Sequence, residues 1–184
     1  MKKTILTFGL ISGVFASVMM AVTVPLEDKI GYDKALVLGY TIIVLAFLMV
    51  FFGIRSYREN YAGGHITFAK GFAIGISITL IMCVCYVVSW EIIYFNFMHD
   101  FMDKYAARMI AEAKASGASA AALQAKIDGL NKQKQLYEIP LYNAALTFIE
   151  PFPVGLLITL ISAVVLRKKA KAAAPPAVIV AASS

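Results

Sequence analysis

The chain has 184 residues, of which 60% are hydrophobic and 15% are charged. A soluble domain contains about 45–50% apolar and about 25% charged residues, so this composition argues against a soluble protein and predicts a membrane protein. The formal net charge is +6, but the basic residues flank apolar segments and do not cluster on a soluble element. We therefore predict the lipid bilayer, and no nucleic acid, as a partner.

Four apolar segments are long enough to cross a bilayer. A run of about 20 apolar residues spans a hydrocarbon core of about 30 Å. The first segment also resembles a secretory signal, because Lys2 and Lys3 precede it, but it continues without a polar break to Val24 and is predicted to be a retained span. The predicted fold class is all-α, an integral membrane four-helix bundle over residues 1–171 with a flexible tail at 172–184. The predicted spans are about 5–24, 35–54, 71–94 and 142–166.

The distribution of basic residues favours one orientation in the membrane. Lys and Arg in short flanking segments stay on the cytoplasmic side. With both termini in the cytoplasm, that side holds nine basic residues and one acidic residue, whereas the other side holds eight basic and ten acidic residues. We therefore predict cytoplasmic N- and C-termini.

The segment at 95–138, between the third and fourth spans, has the pattern of two helices. Apolar residues recur at helical spacing from Met98 to Ala113 and again from Leu123 to Tyr137. Gly117 is expected to end the first helix, and Ser119 is expected to cap the second. We predict an antiparallel helical hairpin on the extracytoplasmic side.

Small residues recur at every fourth position in three of the spans. In lipid, small faces let helix backbones approach closely and gain van der Waals contact. We interpret these faces as packing within one bundle, with a dimerisation face as the alternative. The predicted packing glycines are Gly9, Gly13, Gly71, Gly75 and Gly155.

Ionisable residues near the outer ends of the last two spans form a candidate polar site, which comprises Glu91, His99, Asp103 and Glu150. A charged group inside a membrane is costly unless it finds a partner or water. His99 and Asp103 are four residues apart, so on one helix they would share a face. No His-Glu-x-x-His motif or cysteine cluster accompanies them, and we predict no metal site and no cofactor.

The stretch FIEPFPVG, at 148–155, interrupts the fourth span. Pro151 and Pro153 have no N–H to donate, and Pro151 disfavours helical geometry at Glu150. The stretch therefore predicts either a kink within one helix or a break at which a new helix begins at Pro151. In the second geometry Glu150 lies near the positive N-terminal end of that helix.

No constellation of residues predicts catalysis. Cys83 and Cys85 are two apart and point to different faces of a helix, so we interpret them as packing residues and not as a redox or metal pair. A nucleophile with a base in reach and a third orienting group is not evident. We therefore predict that the protein is not an enzyme and has no catalytic residues.

Three segments carry a resemblance to a known family: GGHITFAKGF, DKYAARMIAEAKASG and PLYNAALTFIEPFPVGLLITLISAVVLRKK. Together they resemble domain-of-unknown-function family 4199, a group of small bacterial four-span membrane proteins, over roughly Lys3 to Lys169. The resemblance implies a bacterial inner-membrane protein with no established activity, substrate or cofactor. The Pro-Ala tail departs from the family pattern.

Two functions are compatible with these patterns. The first is a structural or accessory subunit that binds another membrane protein or a second copy of the chain through the hairpin and the small-residue helix faces. The alternative is a small transport or ion-coupled membrane component that uses Glu150 and Glu91.

Overall fold

The computed structural model describes residues 1–168, and the predicted tail at 172–184 lies outside this part of the chain. A 3-10 turn at Val24–Leu26 joins the first two helices. Within the described residues the only β-type pairing is an isolated bridge between Ile66 and Lys168, which confirms the all-α fold class. The helices are α1 Lys2–Thr23, α2 Glu27–Ile30, α3 Tyr32–Tyr61, α4 Phe68–Phe97, α5 Phe101–Ala115, α6 Ala120–Tyr137, α7 Pro140–Ile149 and α8 Phe152–Leu166.

The structure contains four candidate membrane spans, formed by α1, α3, α4 and the pair α7 and α8. Helices α3 and α4 have 30 residues each, or about 45 Å, which exceeds the hydrocarbon core of about 30 Å. Both extend beyond the predicted limits, and the segment from Arg55 to Tyr61, which follows the predicted end of the second span, is helical. The reason is that an apolar run marks the lipid-facing part of a helix, whereas backbone hydrogen bonding continues into its polar flanks.

The small-residue faces of α4 and α8 fit directly against each other, and the two helices are antiparallel. Gly71 faces Ala163, and Gly75 faces Thr159. One turn further along, the hydroxyl of Thr79 lies 3.0 Å from that of Thr159 in a buried hydrogen bond. The close approach that small residues allow in lipid therefore joins two helices of the same chain.

A different face of α4 packs against α1, which runs parallel to it. Gly9 lies against Ile81, and Gly13 lies against Cys85. Cys83 is buried, and both thiols are free. Gly155 lies against Phe47 of α3 and Thr79 of α4, so all five predicted packing glycines are buried against helices of this chain.

One end of the bundle, which we call the basic end, has a large excess of basic over acidic residues. There Arg58 donates a hydrogen bond of 3.1 Å to the carbonyl of Leu166 and so satisfies an acceptor at the end of α8. The bridge between Ile66 and Lys168 fastens the α3–α4 connection to the same segment. The described basic residues at this end are Lys2, Lys3, Arg55, Arg58, Lys70, Arg167 and Lys168.

The opposite end, which we call the hairpin end, carries α5 and α6. Ser119 accepts a hydrogen bond from the backbone N–H of Ala122 at 3.3 Å, and Gly117 has φ +76°, a conformation that glycine adopts readily. Both observations confirm the predicted turn between the two helices. Met102 of α5 is buried against Trp90 of α4 in an apolar cluster, which holds the base of the hairpin on the bundle.

The fourth span is broken at the predicted place, and the break is a helix end followed by a helix start. Helix α7 ends at Ile149, and α8 begins at Phe152 with Pro151 as its N-cap residue. The carbonyl of Pro151 accepts the first helical hydrogen bond, from Gly155 at 3.0 Å. Helix α8 packs against both α3 and α4, whereas α7 packs mainly against α4. The break therefore separates α7, the part of this span nearer the hairpin end, from α3.

Candidate functional site

A cavity of about 370 Å³ lies at the hairpin end of the bundle, and we call it the aromatic cavity. Its walls come from α1, α3, α4 and α7, and the base of the hairpin contributes to its lining. Two carboxylates, Glu27 and Glu150, line it. The aromatic side chains in its walls are Tyr32, Tyr40, Tyr86, Trp90, Phe101 and Tyr137.

Glu150 reaches this cavity because the helix break places it there. The two prolines that follow it end α7 and start α8, which leaves Glu150 in the connection between the helices. The hydroxyl of Tyr86 donates a hydrogen bond of 3.2 Å to Oε2 of Glu150. No described basic residue forms an ion pair with this carboxylate, so a neutral hydroxyl is its observed partner.

Trp90 and Tyr137 connect α4 to the hairpin beside the cavity. The indole N–H of Trp90 donates a hydrogen bond of 2.9 Å to the Tyr137 hydroxyl, and the ring of Phe101 lies edge-on to Trp90 with centroids 5.0 Å apart. Burial raises the pKa of Tyr137 to about 12, although the hydrogen bond from Trp90 opposes this shift. The phenol is therefore neutral at physiological pH and serves as an uncharged part of the wall.

An ion pair between the hairpin and the first connection lies beside the cavity. Arg108 of α5 donates a hydrogen bond of 3.0 Å to Glu27, and their side chains are only 26% and 20% exposed. The guanidinium carbon also lies 3.7 Å from the centroid of the Tyr32 ring, which is cation–π geometry. A carboxylate and an aromatic ring together hold a planar cation at this wall.

The structure does not gather the four predicted polar residues at one place. Glu150 lines the cavity, but Glu91 does not, and Oε1 of Glu91 is buried without a hydrogen-bond partner in the described part of the chain. His99 lies exposed in the turn before α5, so it does not share a helix face with Asp103 as expected; α4 ends before it and α5 begins after it. Asp103 instead pairs with Lys134 across the hairpin.

No group of three or more His, Cys, Asp or Glu side chains in residues 1–168 is arranged to hold a metal ion. The arrangement that does exist is two carboxylates, one of them paired with Arg108, among aromatic side chains. Such a site can bind a ligand by charge and ring contacts, but it does not offer the several oxygen or nitrogen ligands that a metal ion requires.

Sequence reasoning missed the aromatic walls of the site. A usable signal was present, because Tyr86, Trp90 and Tyr94 follow one another at intervals of four and so share a face of α4. The Glu27 and Arg108 pair had no such signal, since 81 positions separate the two residues. Only the packing of the hairpin on the first connection brings them together.

Comparison with curated proteins and with solved structures gives no match. The family described as "Protein of unknown function (DUF4199)" matches residues 7–168, which covers most of the first span, the other three spans and the hairpin. The match agrees with the resemblance carried by the three sequence segments quoted above. The chain therefore belongs to the DUF4199 family.

Proposed function

We propose that the protein is a multi-pass protein of the bacterial inner membrane, with the basic end in the cytoplasm and the hairpin outside. The positive-inside tendency of Lys and Arg supports this orientation, because the basic end collects the cationic flanks of all four spans. The bacterial origin of the resembled family supports the choice of membrane.

Cysteine labelling tests the orientation. In a variant in which Cys83 and Cys85 are replaced, a single cysteine at exposed Ser119 should react with a membrane-impermeant maleimide in intact spheroplasts. A matched cysteine at exposed Asn60, near the basic end, should react only after permeabilisation. Labelling of the Asn60 position alone in intact cells would reverse the proposed orientation.

In this membrane the protein acts as an accessory subunit that binds a partner protein through the hairpin, and it catalyses no reaction. The observation that carries this proposal is the fixed attachment of the hairpin. Trp90 binds Tyr137, the hydroxyl of Tyr94 donates a hydrogen bond of 3.0 Å to Glu138, and the ion pair of Arg108 anchors α5. A helix pair held at its base in this way presents its outer surface in one orientation, which lowers the ordering cost of binding.

The exposed surface of the hairpin indicates the kind of partner. Its apolar stripes face inward, with Leu130 and Ala113 buried, so the outer surface is polar. Exposed residues along α6 include Gln124, Lys126, Asp128, Asn131 and Lys132. A polar surface of mixed charge favours a partner with a complementary polar face over an apolar one. The small-residue faces, in contrast, are occupied within the bundle.

Site-specific photocrosslinking tests the docking role in cells. A photoreactive residue at Gln124 should yield a discrete crosslinked band, and Lys126→Glu together with Lys132→Glu should weaken that band because they reverse charge on the same helix. A photoreactive residue at exposed Lys34, at the same end of the bundle, is the matched control. The absence of any discrete band from positions along α6, with normal expression, would refute the docking role.

A second candidate function, ion-coupled transport, is favoured by one observation, the position of Glu150 in the cavity wall. An acidic group at a helix break in a span is a recurring feature of transport sites. Glu91 does not line the cavity, so the role falls on Glu150. In reconstituted vesicles, Glu150→Gln should reduce ion or proton flux while Glu91→Gln leaves it unchanged. Wild-type flux equal to that of empty vesicles would exclude this function.

A further inference from the structure

We propose that the aromatic cavity binds an organic cation, an ammonium or guanidinium group, between Glu150 and the surrounding aromatic rings. The cavity volume of about 370 Å³ is in the range of small-molecule sites, which begins at about 300 Å³. This inference does not depend on the docking role of the hairpin, because it concerns a different surface of the molecule.

The charge of the cavity lining favours a cation. The carboxylates of Glu27 and Glu150 line the cavity, and none of the described lining residues is Lys, Arg or His. Glu27 is already paired with Arg108, whereas the observed partner of Glu150 is the neutral hydroxyl of Tyr86. An ionised carboxylate within a membrane span is costly unless it finds a partner, and a ligand can supply the cation that the described chain does not.

The aromatic walls of the cavity also favour a cation. The faces of aromatic rings attract cations, and Trp and Tyr are the strongest of them. Six aromatic side chains line this cavity, and five of them are Tyr or Trp. Aromatic enclosures with a carboxylate are suited to organic cations, which are large and weakly hydrated, and are poorly suited to metal ions, which need several oxygen ligands.

The protein already holds a cation with a carboxylate and an aromatic ring beside this cavity. There, Glu27 and the ring of Tyr32 hold the guanidinium of Arg108, with the carboxylate at 3.0 Å and the ring centroid at 3.7 Å. Glu150 and Tyr86 present the same pair of groups without a basic side chain from the described residues. The two places thus share a carboxylate and a tyrosine, although at Glu150 the carboxylate contacts the tyrosine hydroxyl.

The position of the cavity allows two sources for the cation. Tyr40 of α3 and Glu150 of the α7–α8 connection are both exposed. A ligand can therefore enter the cavity between these elements. A soluble amine and the ammonium headgroup of a membrane lipid share the chemistry that the site recognises. The test therefore has one arm for each source.

Trp90 provides the readout, because it lines the cavity and is the single tryptophan of the chain. In the first arm, the detergent-solubilised protein is titrated with tetraethylammonium chloride up to about 10 mM, the range of weak sites, with sodium chloride as the ionic-strength control. In the second arm, the protein is placed in nanodiscs of phosphatidylglycerol, and phosphatidylethanolamine is added in increasing proportion at constant disc size.

We expect a saturable change of Trp90 fluorescence in at least one arm, and the responding arm identifies the source. Glu150→Gln should weaken the apparent affinity by about tenfold or more, with its folding verified by circular dichroism. Glu91→Gln, which alters a carboxylate outside the cavity lining, should bind as the wild type does. If neither arm saturates, or if Glu150→Gln binds with wild-type affinity, the proposal is wrong.

Discussion

Replacement of Gly155 with alanine tests the close packing of α8 against the rest of the bundle. A Cβ at this position would lie 2.5 Å from Cζ of Phe47 and 2.5 Å from Cγ2 of Thr79. Both neighbours are completely buried, at 0% exposure, so neither side chain can move aside into open space. Forcing a methyl group into a packed interior costs about 1–3 kcal/mol.

Gly39→Ala is the matched control, because it makes the same chemical change in another span. Nothing lies within 4 Å of a Cβ built at Gly39, and alanine in a helix interior is favoured over glycine by about 0.5–1 kcal/mol. The preference of a helix for alanine over glycine applies equally to Gly155→Ala. The difference between the two variants therefore isolates the steric cost, and we expect Gly155→Ala to be about 1–3 kcal/mol less stable than Gly39→Ala.

Reversible unfolding in mixed micelles of dodecyl sulfate and a non-ionic detergent measures this difference, with far-UV circular dichroism as the signal. Both variants are compared with the wild type under identical conditions. If Gly155→Ala is as stable as Gly39→Ala, then α8 does not pack against Phe47 and Thr79 as described, and the account of the interlocked small-residue faces is refuted.

Three further predictions concern the hairpin and the bundle. Arg108→Met leaves the partly buried Glu27 without its ion-pair partner, so we expect faster hydrogen exchange across α5; unchanged exchange would show that the pair does not anchor the hairpin. Tyr137→Phe removes the acceptor of the Trp90 N–H and should shift tryptophan emission. Burial raises the pKa of Tyr137 from 10.0 to about 12, so the contribution of the neutral phenol to the free energy of unfolding is complete below pH 10 and is lost as the pH rises toward 12. The Phe variant has no ionisable group at this position and should lose less stability over that interval. Ser12→Ala removes a buried hydrogen bond of 2.7 Å between α1 and α3 and should cost only about 0.6 kcal/mol in unfolding measurements.

Local features of the sequence were sufficient for the helices and their ends. The length of each apolar run predicted four spans, Ser119 and Gly117 predicted the hairpin turn, and the prolines beside Glu150 predicted an interruption. Each of these depends on a few neighbouring residues, through hydrogen bonding that is satisfied or lost within one or two turns. Such features can be read from the sequence without knowledge of the partner helices.

The identity of contacting faces depended on the tertiary structure. The repeat of small residues indicated that α1, α4 and α8 pack closely, but it did not indicate that Gly75 meets Thr159 while Gly13 meets Cys85. In lipid, small faces are interchangeable as packing surfaces, because close approach and not a particular residue pair supplies the energy. The choice of pairs follows from the arrangement of all the spans together.

The candidate site likewise has one feature that the sequence determined and others that only the tertiary structure decided. The sequence by itself determined that Glu150 lies in a span beside a proline break, because backbone donors are lost at prolines wherever they occur. Only the tertiary structure decided that this carboxylate faces Tyr86 and the other rings of the aromatic cavity, and that Glu91 does not line it. The physical reason is that the cavity forms where α7 separates from α3, and its walls come from helices that are far apart in the chain.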